Sequence, residues 1–195
     1  DKATADHKWN HAENGHAVGF DIENSEIRNQ YIQQADVVVS MLPAFLHFLV
    51  AKDCLQHVKP LFTASYVDEN MRSLAQVAKE KNVLFLCEMG LHPGIDHMSA
   101  MELIHRIQNK GGVITCFKSH CGGLIAPESD NNPWHYKISW NPRNIILAGK
   151  AGAIFLEQGI TKELGYAQLF HNAPTVLVPN IGTLAYYPNR NSLSY

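Results

Sequence analysis

Five side chains of metal-ligand type lie in two short stretches: His92, Asp96 and His97, then His120 and Cys121. Their spacing argues against a metal. His92 and His97 are not the i, i+4 pair of a zinc-binding helix, and Pro93 and Gly94 stand between them. His120 and Cys121 are consecutive, and consecutive strand side chains point to opposite faces. No metal site is expected. Cys121 precedes Gly122-Gly123 in a polar loop, where a thiolate of lowered pKa would be a nucleophile. An unreactive thiol fits the same residues. Cys54, Cys87 and Cys116 fall on expected helix or strand positions and read as packing residues. Arg190, in Tyr186-Tyr187-Pro188-Asn189-Arg190, is either a two-pronged clamp for a carboxylate or a solvated surface charge. Asp96-His97 reads as the capped first turn of a helix rather than as a catalytic dyad.

These residues need elements to hold them, and the first half of the chain alternates short apolar runs with amphipathic stretches. Ala17–Phe20 is the first run. Ser25–Gln34 follows as a helix with Ile27 and Tyr31 on its inner face. Val37–Leu42 reads as a strand buried on both faces, broken only by Ser40 and stopped by Pro43. A helix over Phe45–Val58 carries the stripe Phe45, Phe48, Leu49 and Lys52. Leu61–Ala64 is a strand. Asp68 caps a helix in which Met71, Leu74, Ala75 and Ala78 recur at i, i+3, i+4, i+7. Val83–Leu86 is a strand, followed by a helix from about His97 to Asn109 with Met101, Ile104 and Ile107 inward. Gly111 and Gly112 end it. Repeated strand–helix units argue for a parallel, doubly wound sheet, whose ligands sit beyond the carboxyl ends of the strands.

After Gly112 the texture changes. Ile114–Ser119 is expected as a strand, Ile145–Leu156 as a short helix and Thr175–Val178 as another strand. The expected boundary divides residues 1–112, part of a dinucleotide-binding domain, from residues 113–195, the start of a second domain. A GxGxxG turn is absent from the sequence, although the alternation is that of a dinucleotide fold. The chain is therefore expected to be an internal piece of a larger protein, lacking the first βαβ unit of a Rossmann domain and inactive by itself.

Composition narrows the classes. Of 195 residues, 46% are apolar and 17% charged, with a net charge of -2. That excludes wholesale disorder and gives no electrostatic case for nucleic acid or an anionic membrane. The polar stretch Asp1–His16 does not read as a signal peptide. The four cysteines include no CxxC pair, so they read as reduced thiols of a cytoplasmic protein.

Together these segments resemble the saccharopine dehydrogenases of the glutamate-forming type. Ala35-Asp36-Val37-Val38-Val39-Ser40-Met41-Leu42-Pro43 looks like the family's fourth-strand loop, and Thr63-Ala64-Ser65-Tyr66-Val67 like its fifth-strand end. Glu88-Met89-Gly90-Leu91-His92-Pro93-Gly94-Ile95-Asp96-His97 is similar to its E-x-G-L-D-P-G-I-D-H motif. Ser119-His120-Cys121-Gly122-Gly123-Leu124, Asn132-Pro133 and Tyr136-Lys137-Ile138-Ser139-Trp140-Asn141-Pro142-Arg143 resemble its S-Y-C-G-G-L…N-P-x-x-Y-K-F-S-W-S-P-R block. Tyr187-Pro188-Asn189-Arg190 matches a further patch. Three departures stand out: His92 replaces the family's Asp, His120 its Tyr, and Trp134-His135 its Leu-Gly.

The resemblance implies a partial Rossmann sheet leading into an α/β substrate and dimerisation domain. It implies an enzyme that uses NADP or NAD to transfer a hydride at the C–N carbon of saccharopine or a similar opine-like amine. Met41, Leu42, Pro43, Thr63, Leu91 and Pro93 would line the nicotinamide end of the cofactor, with Trp140 closing over it. Asp21 and Ile22 would face the adenine. Ser65, Tyr66 and His92 would touch the substrate, and Arg190 would bind its carboxylate. Cys121, Gly122 and Gly123 would sit near the reacting carbon. A neutral imidazole at His92 would act as a general base, where the family's Asp would present a charge to the amine. The partners implied are an amino-acid substrate and a second copy in a homodimer. Rival readings are a carboxynorspermidine-type dehydrogenase and a non-catalytic dinucleotide-binding regulatory protein.

Overall fold

The computed structural model describes residues 3, 6–7, 14–137, 147 and 149–194. The chain divides into two compact units, Asp1–Ile114 and Thr115–Tyr195.

In the first unit, α1 (Ser25–Gln34) leads to β1 (Val38–Ser40), then to a single 3-10 turn (Ala44–Leu46) and α2 (His47–Gln56). Next come β2 (Leu61–Thr63), two short helices α3 (Glu69–Ser73) and α4 (Ala75–Glu80), β3 (Phe85–Leu86) and α5 (Ile95–Gln108). The strands form a parallel sheet in the order β1-β2-β3, with Val38 opposite Leu61 and Leu61 opposite Phe85. Parallel pairing requires a crossover between strands, and the intervening helices supply it. Capping fits the sequence. The Asn24 side chain accepts the Ile27 N–H at 3.2 Å, and Asp68 accepts that of Met71 at 2.8 Å. Such caps contribute about 1 kcal/mol each. The main core gathers Ile32, Val50, Ala51, Cys54, Leu61 and Met71.

Several faces differ from those expected, and one cause explains two of them. α1 buries Arg28 and Ile32, not Ile27 and Tyr31. α2 buries His47, Val50, Ala51, Asp53, Cys54 and Leu55, while Phe45 is 77% exposed and Lys52 lies outside. In both helices the inner stripe contains ionisable residues that a hydrophobicity pattern excludes. They are admitted because they pair: Arg28 Nε donates to Asp53 Oδ2 at 2.5 Å, and Arg28 Nη1 to the Ile22 carbonyl at 2.5 Å.

Other expectations are corrected as well. β1 is open on one face, with Val39 65% exposed. Ala17–Phe20 has no ladder partner among the described residues. The helix after Asp68 breaks in two at Leu74, leaving Ala75 exposed. α5 buries none of its residues, and Met101 and Ile107 are exposed rather than inward.

In the second unit, the expected strand Ile114–Ser119 is irregular, and Cys116 is exposed rather than packed. β4 (Ala153–Glu157) replaces the end of the expected helix Ile145–Leu156, whose residues 149–152 form turns and whose residues 145, 146 and 148 lie outside those described. A tight turn at Gln158-Gly159, both at positive φ, favours an antiparallel hairpin with β5 (Ile160–Leu164). The short helix α6 (Tyr166–Leu169) and an antiparallel pair, β6 (Thr175–Val178) and β7 (Gly182–Ala185), follow. β8 (Arg190–Asn191) pairs parallel with β4. β6 occupies the residues expected for it. No helix among the described residues is long and apolar enough to cross a membrane.

Candidate functional site

The carboxyl ends of β2 and β3 are stitched together. The Glu88 N–H donates to the Ser65 carbonyl at 3.0 Å, and the Met89 N–H to the Thr63 carbonyl at 3.1 Å. The Glu88 carboxylate accepts the Val67 N–H at 3.2 Å. These bonds hold Ser65 and Tyr66 against the turn Gly90–Gly94. That turn closes on itself: Gly90 N–H donates to the Pro93 carbonyl and Ile95 N–H to the Gly90 carbonyl, each at 2.9 Å. Pro93 is buried and follows a cis peptide bond. Gly94 has φ 146°, and an added Cβ would lie 2.2 Å from the Gly90 carbonyl oxygen, so only glycine fits.

From this turn His92 projects with its side chain 40% exposed, and its Nδ1 hydrogen-bonds the Asp96 carboxylate. A carboxylate only accepts, so Nδ1 carries a hydrogen and donates it to Asp96. Burial alone would raise the Asp96 carboxyl. The hydrogen bonds from His92 and from the backbone N–H groups of His97 and Gly94 outweigh that and hold it below its ordinary value. The His97 ring stacks on His92 at 5.9 Å, and the Tyr66 ring meets His92 edge-on at 6.3 Å. Asp96 and His97 lie in the first turn of α5, as expected, with Gly94 as its N-cap, and Asp96 also forms an imidazole–carboxylate pair with His92. The signal lay in the i, i+4 spacing of His92 and Asp96.

A buried network underlies Ser65. His47, 3% exposed, places Nδ1 at 2.8 Å from Ser40 Oγ and Nε2 at 2.7 Å from Ser65 Oγ. Thr63 Oγ1 lies 3.2 Å from the same Nε2 and accepts the Ser65 N–H at 3.2 Å. Burial lowers the His47 pKa, against the pull of the Asp68 charge. Neither His47 nor Ser40 emerged from the sequence as a site residue. The only signal was Ser40 interrupting an apolar run.

The expected cofactor residues divide. Ile22, Met41 and Leu42 line one open cleft of about 820 Å³, together with Val18, Ile32 and Val38. His47, His92 and Asp96 are not among its lining residues. Met41 and Leu91 expose apolar surface at strand ends, 78% and 66% respectively, which suits the flat rings of a dinucleotide. Pro43 precedes the 3-10 turn and is exposed, while Thr63 is buried in the His47 network. Asp21 is exposed and caps its own loop, accepting the Glu23 N–H at 2.9 Å. Trp140 lies outside the described residues.

The remaining expected residues belong to the second unit. Cys121, Gly122 and Gly123 are exposed in irregular chain, and an added Cβ at Gly122 would meet nothing within 4 Å. The preceding His120 ring packs edge-on against Tyr186 at 4.5 Å. Arg190 is exposed on β8 at φ 55°, its N–H donating to the Gly152 carbonyl at 3.1 Å. By contrast, burial and the neighbouring Asp53 charge push the Cys54 thiol up to about 12. Burial, Glu88 and Asp68 raise that of Cys87. Both are poor nucleophiles. No cluster of three or more metal-ligating side chains occurs among the described residues.

Comparison with known proteins agrees with this architecture. Residues 1–86 match the model of the saccharopine dehydrogenase NADP binding domain, and residues 90–195 that of the saccharopine dehydrogenase C-terminal domain. The chain is 44% identical over 181 residues to the alpha-aminoadipic semialdehyde synthase of Arabidopsis thaliana, an alignment covering 92% of this chain and 17% of that protein. It is 36% identical to the NADP(+), L-glutamate-forming saccharopine dehydrogenase of Pyricularia oryzae, over 91% of this chain and 40% of that one. Among solved structures, the apo saccharopine dehydrogenase (L-Glu forming) of Saccharomyces cerevisiae superposes with a TM-score of 0.89 at 29% identity. That match takes in 100% of this chain and 43% of the yeast chain. The chain thus spans well under half the length of these relatives. With more than half of its residues matched by the C-terminal domain model alone, the chain belongs to the saccharopine dehydrogenase family.

Proposed function

We propose that the full-length protein is an oxidoreductase that transfers a hydride between NADP(H) and the C–N carbon of saccharopine. The observation that carries this reading is the cluster at the carboxyl ends of β2 and β3: Ser65, Tyr66 and the His92–Asp96 pair, beside exposed apolar side chains. Ligands of parallel α/β sheets bind at such ends. When bound, the nicotinamide cofactor supplies or receives the hydride; the residues of this chain position the amine and manage its protons. NADP rather than NAD is favoured by the matching family model, and Ile22, Met41, Leu42 and Leu91 offer the apolar surface to receive it.

His92 does the acid–base work. Asp96 keeps the proton on Nδ1, so Nε2 accepts a proton from the secondary amine or from the water that attacks the imine. The edge-on Tyr66 ring and the stacked His97 ring both pack against the imidazole and limit its rotation. Arg190 is assigned the substrate carboxylate, and Cys121, Gly122 and Gly123 the neighbourhood of the reacting carbon, on the family resemblance. We further assign the full-length protein to a homodimer in a reducing compartment, consistent with the free thiols of Cys54, Cys87, Cys116 and Cys121.

The test is nicotinamide absorbance with full-length protein, offering saccharopine and, separately, carboxynorspermidine. Reduction of NADP with saccharopine alone is expected. In His92→Asn most activity is lost, together with the acid limb of kcat/KM, whereas His92→Asp keeps activity and moves that limb to lower pH. A pH profile unchanged in shape and height in His92→Asn would remove the base from this reading.

A further inference from the structure

Glu88 takes a backbone conformation that its residue type disfavours. Its φ is 61°, in the left-handed region where a Cβ is crowded and glycine or asparagine is the usual occupant. The hydrogen bonds around it show why the chain turns there. In a parallel ladder, later residues of one strand meet later residues of the next. β2 and β3 obey this from Leu61 opposite Phe85 to Phe62 opposite Leu86. Beyond them the order inverts: the Glu88 N–H reaches the Ser65 carbonyl, and the following Met89 N–H reaches the earlier Thr63 carbonyl. A left-handed residue at 88 turns the chain back. Glycine would make that turn at lower cost. What glutamate adds is reach, because its carboxylate accepts the Val67 N–H at 3.2 Å. The Ser65 carbonyl belongs to the peptide unit before Tyr66 and the Val67 N–H to the one after it. Peptide units are planar, so bonding both fixes the backbone at Tyr66 and with it the direction of its side chain. Val67 and Cys87 pack against the main core and anchor the two segments. The Tyr66 ring then meets His92 edge-on at 6.3 Å.

We propose that Glu88 is a positioning residue: by holding the peptide units on both sides of Tyr66, it fixes the Tyr66 ring against His92. It acts through Tyr66 rather than on the substrate. The consequence for amine oxidation rests on the function proposed above; the bracket around Tyr66 does not.

The experiment compares Glu88→Asn and Glu88→Gln in the full-length protein. Asparagine accepts the left-handed backbone, but its side chain is one methylene too short for the Val67 N–H. Glutamine keeps both the length and an acceptor oxygen. The Val67 amide hydrogen is expected to exchange with solvent about tenfold faster in Glu88→Asn than in wild type, and at nearly the wild-type rate in Glu88→Gln. In Glu88→Asn, kcat for saccharopine falls about tenfold while the KM for NADP and the urea midpoint stay nearly unchanged; Glu88→Gln restores most of it. Unchanged Val67 exchange or unchanged kcat in Glu88→Asn overturns the proposal. So does a loss of kcat in Glu88→Gln as large as that in Glu88→Asn, which would assign the effect to the charge. If the wild type does not oxidise saccharopine at all, the proposed function falls, while Val67 exchange still decides the bracket.

Discussion

The two units carry their motif residues in opposite ways. In residues 1–114 the polar groups of interest are each held by a defined partner: the buried Arg28 by Asp53, the buried His47 by Ser40 and Ser65, and the more exposed His92 by Asp96. In residues 115–195 the motif residues Cys121, Gly122, Gly123 and Arg190 lie exposed, on irregular chain or a two-residue strand. Substitutions in the first unit therefore act on the fold as well as on the chemistry. In the second, chemistry and fold are separable.

The largest effect that would sharpen this contrast is at the ion pair joining α1 to α2. Asp53→Ala strands the Arg28 charge in the core and is expected to cost on the order of 3–5 kcal/mol. Urea unfolding of the full-length protein measures it, and a cost below about 1 kcal/mol would show the pair to be solvated in practice. Next in size is Gly94→Ala. Its Cβ meets the Gly90 oxygen at 2.2 Å in a left-handed backbone, so roughly 3 kcal/mol and the placement of His92 should be lost together.

Arg190→Ala tests the second unit through function. A tenfold or greater rise in KM for saccharopine is expected, on the order of 1.4 kcal/mol, with the unfolding midpoint unchanged. A shift in the midpoint instead would place Arg190 in the fold and not in the clamp. A smaller effect follows from His47. Its pKa lies below the ordinary 6.5 because burial disfavours the charged ring. Below about pH 6.5 the unfolded chain therefore binds more protons than the folded one, and stability falls as pH drops toward the folded value. The loss of unfolding midpoint between about pH 7.5 and about pH 5.5 should be greater in wild type than in His47→Gln. The smallest change is at Gly122→Ala, where open space surrounds the position; stability should stay within about 0.5 kcal/mol of wild type. A larger loss would break the contrast between the units.

Much of the first unit was legible in the sequence because it depends on neighbours a few residues apart. Helix Ser25–Gln34 matched its expected limits and the Asp68 cap formed where expected, as did strand Thr175–Val178 in the second unit. Capping, turn chemistry and strand preference are local, and so is the motif that carries the Gly90–Gly94 turn. The inner faces of α1 and α2 were not legible. Arg28 and Asp53 are 25 positions apart, and His47 and Ser65 are 18 apart. Each looks like a surface residue until its partner is in place, since burial of a polar group is tolerable only when its hydrogen bond is made. The sequence by itself determined the strand–helix alternation of the first unit, the glycine turn and the family. Only the tertiary structure decided which polar side chains went inside, and so which of them came to lie under Ser65 and beside His92.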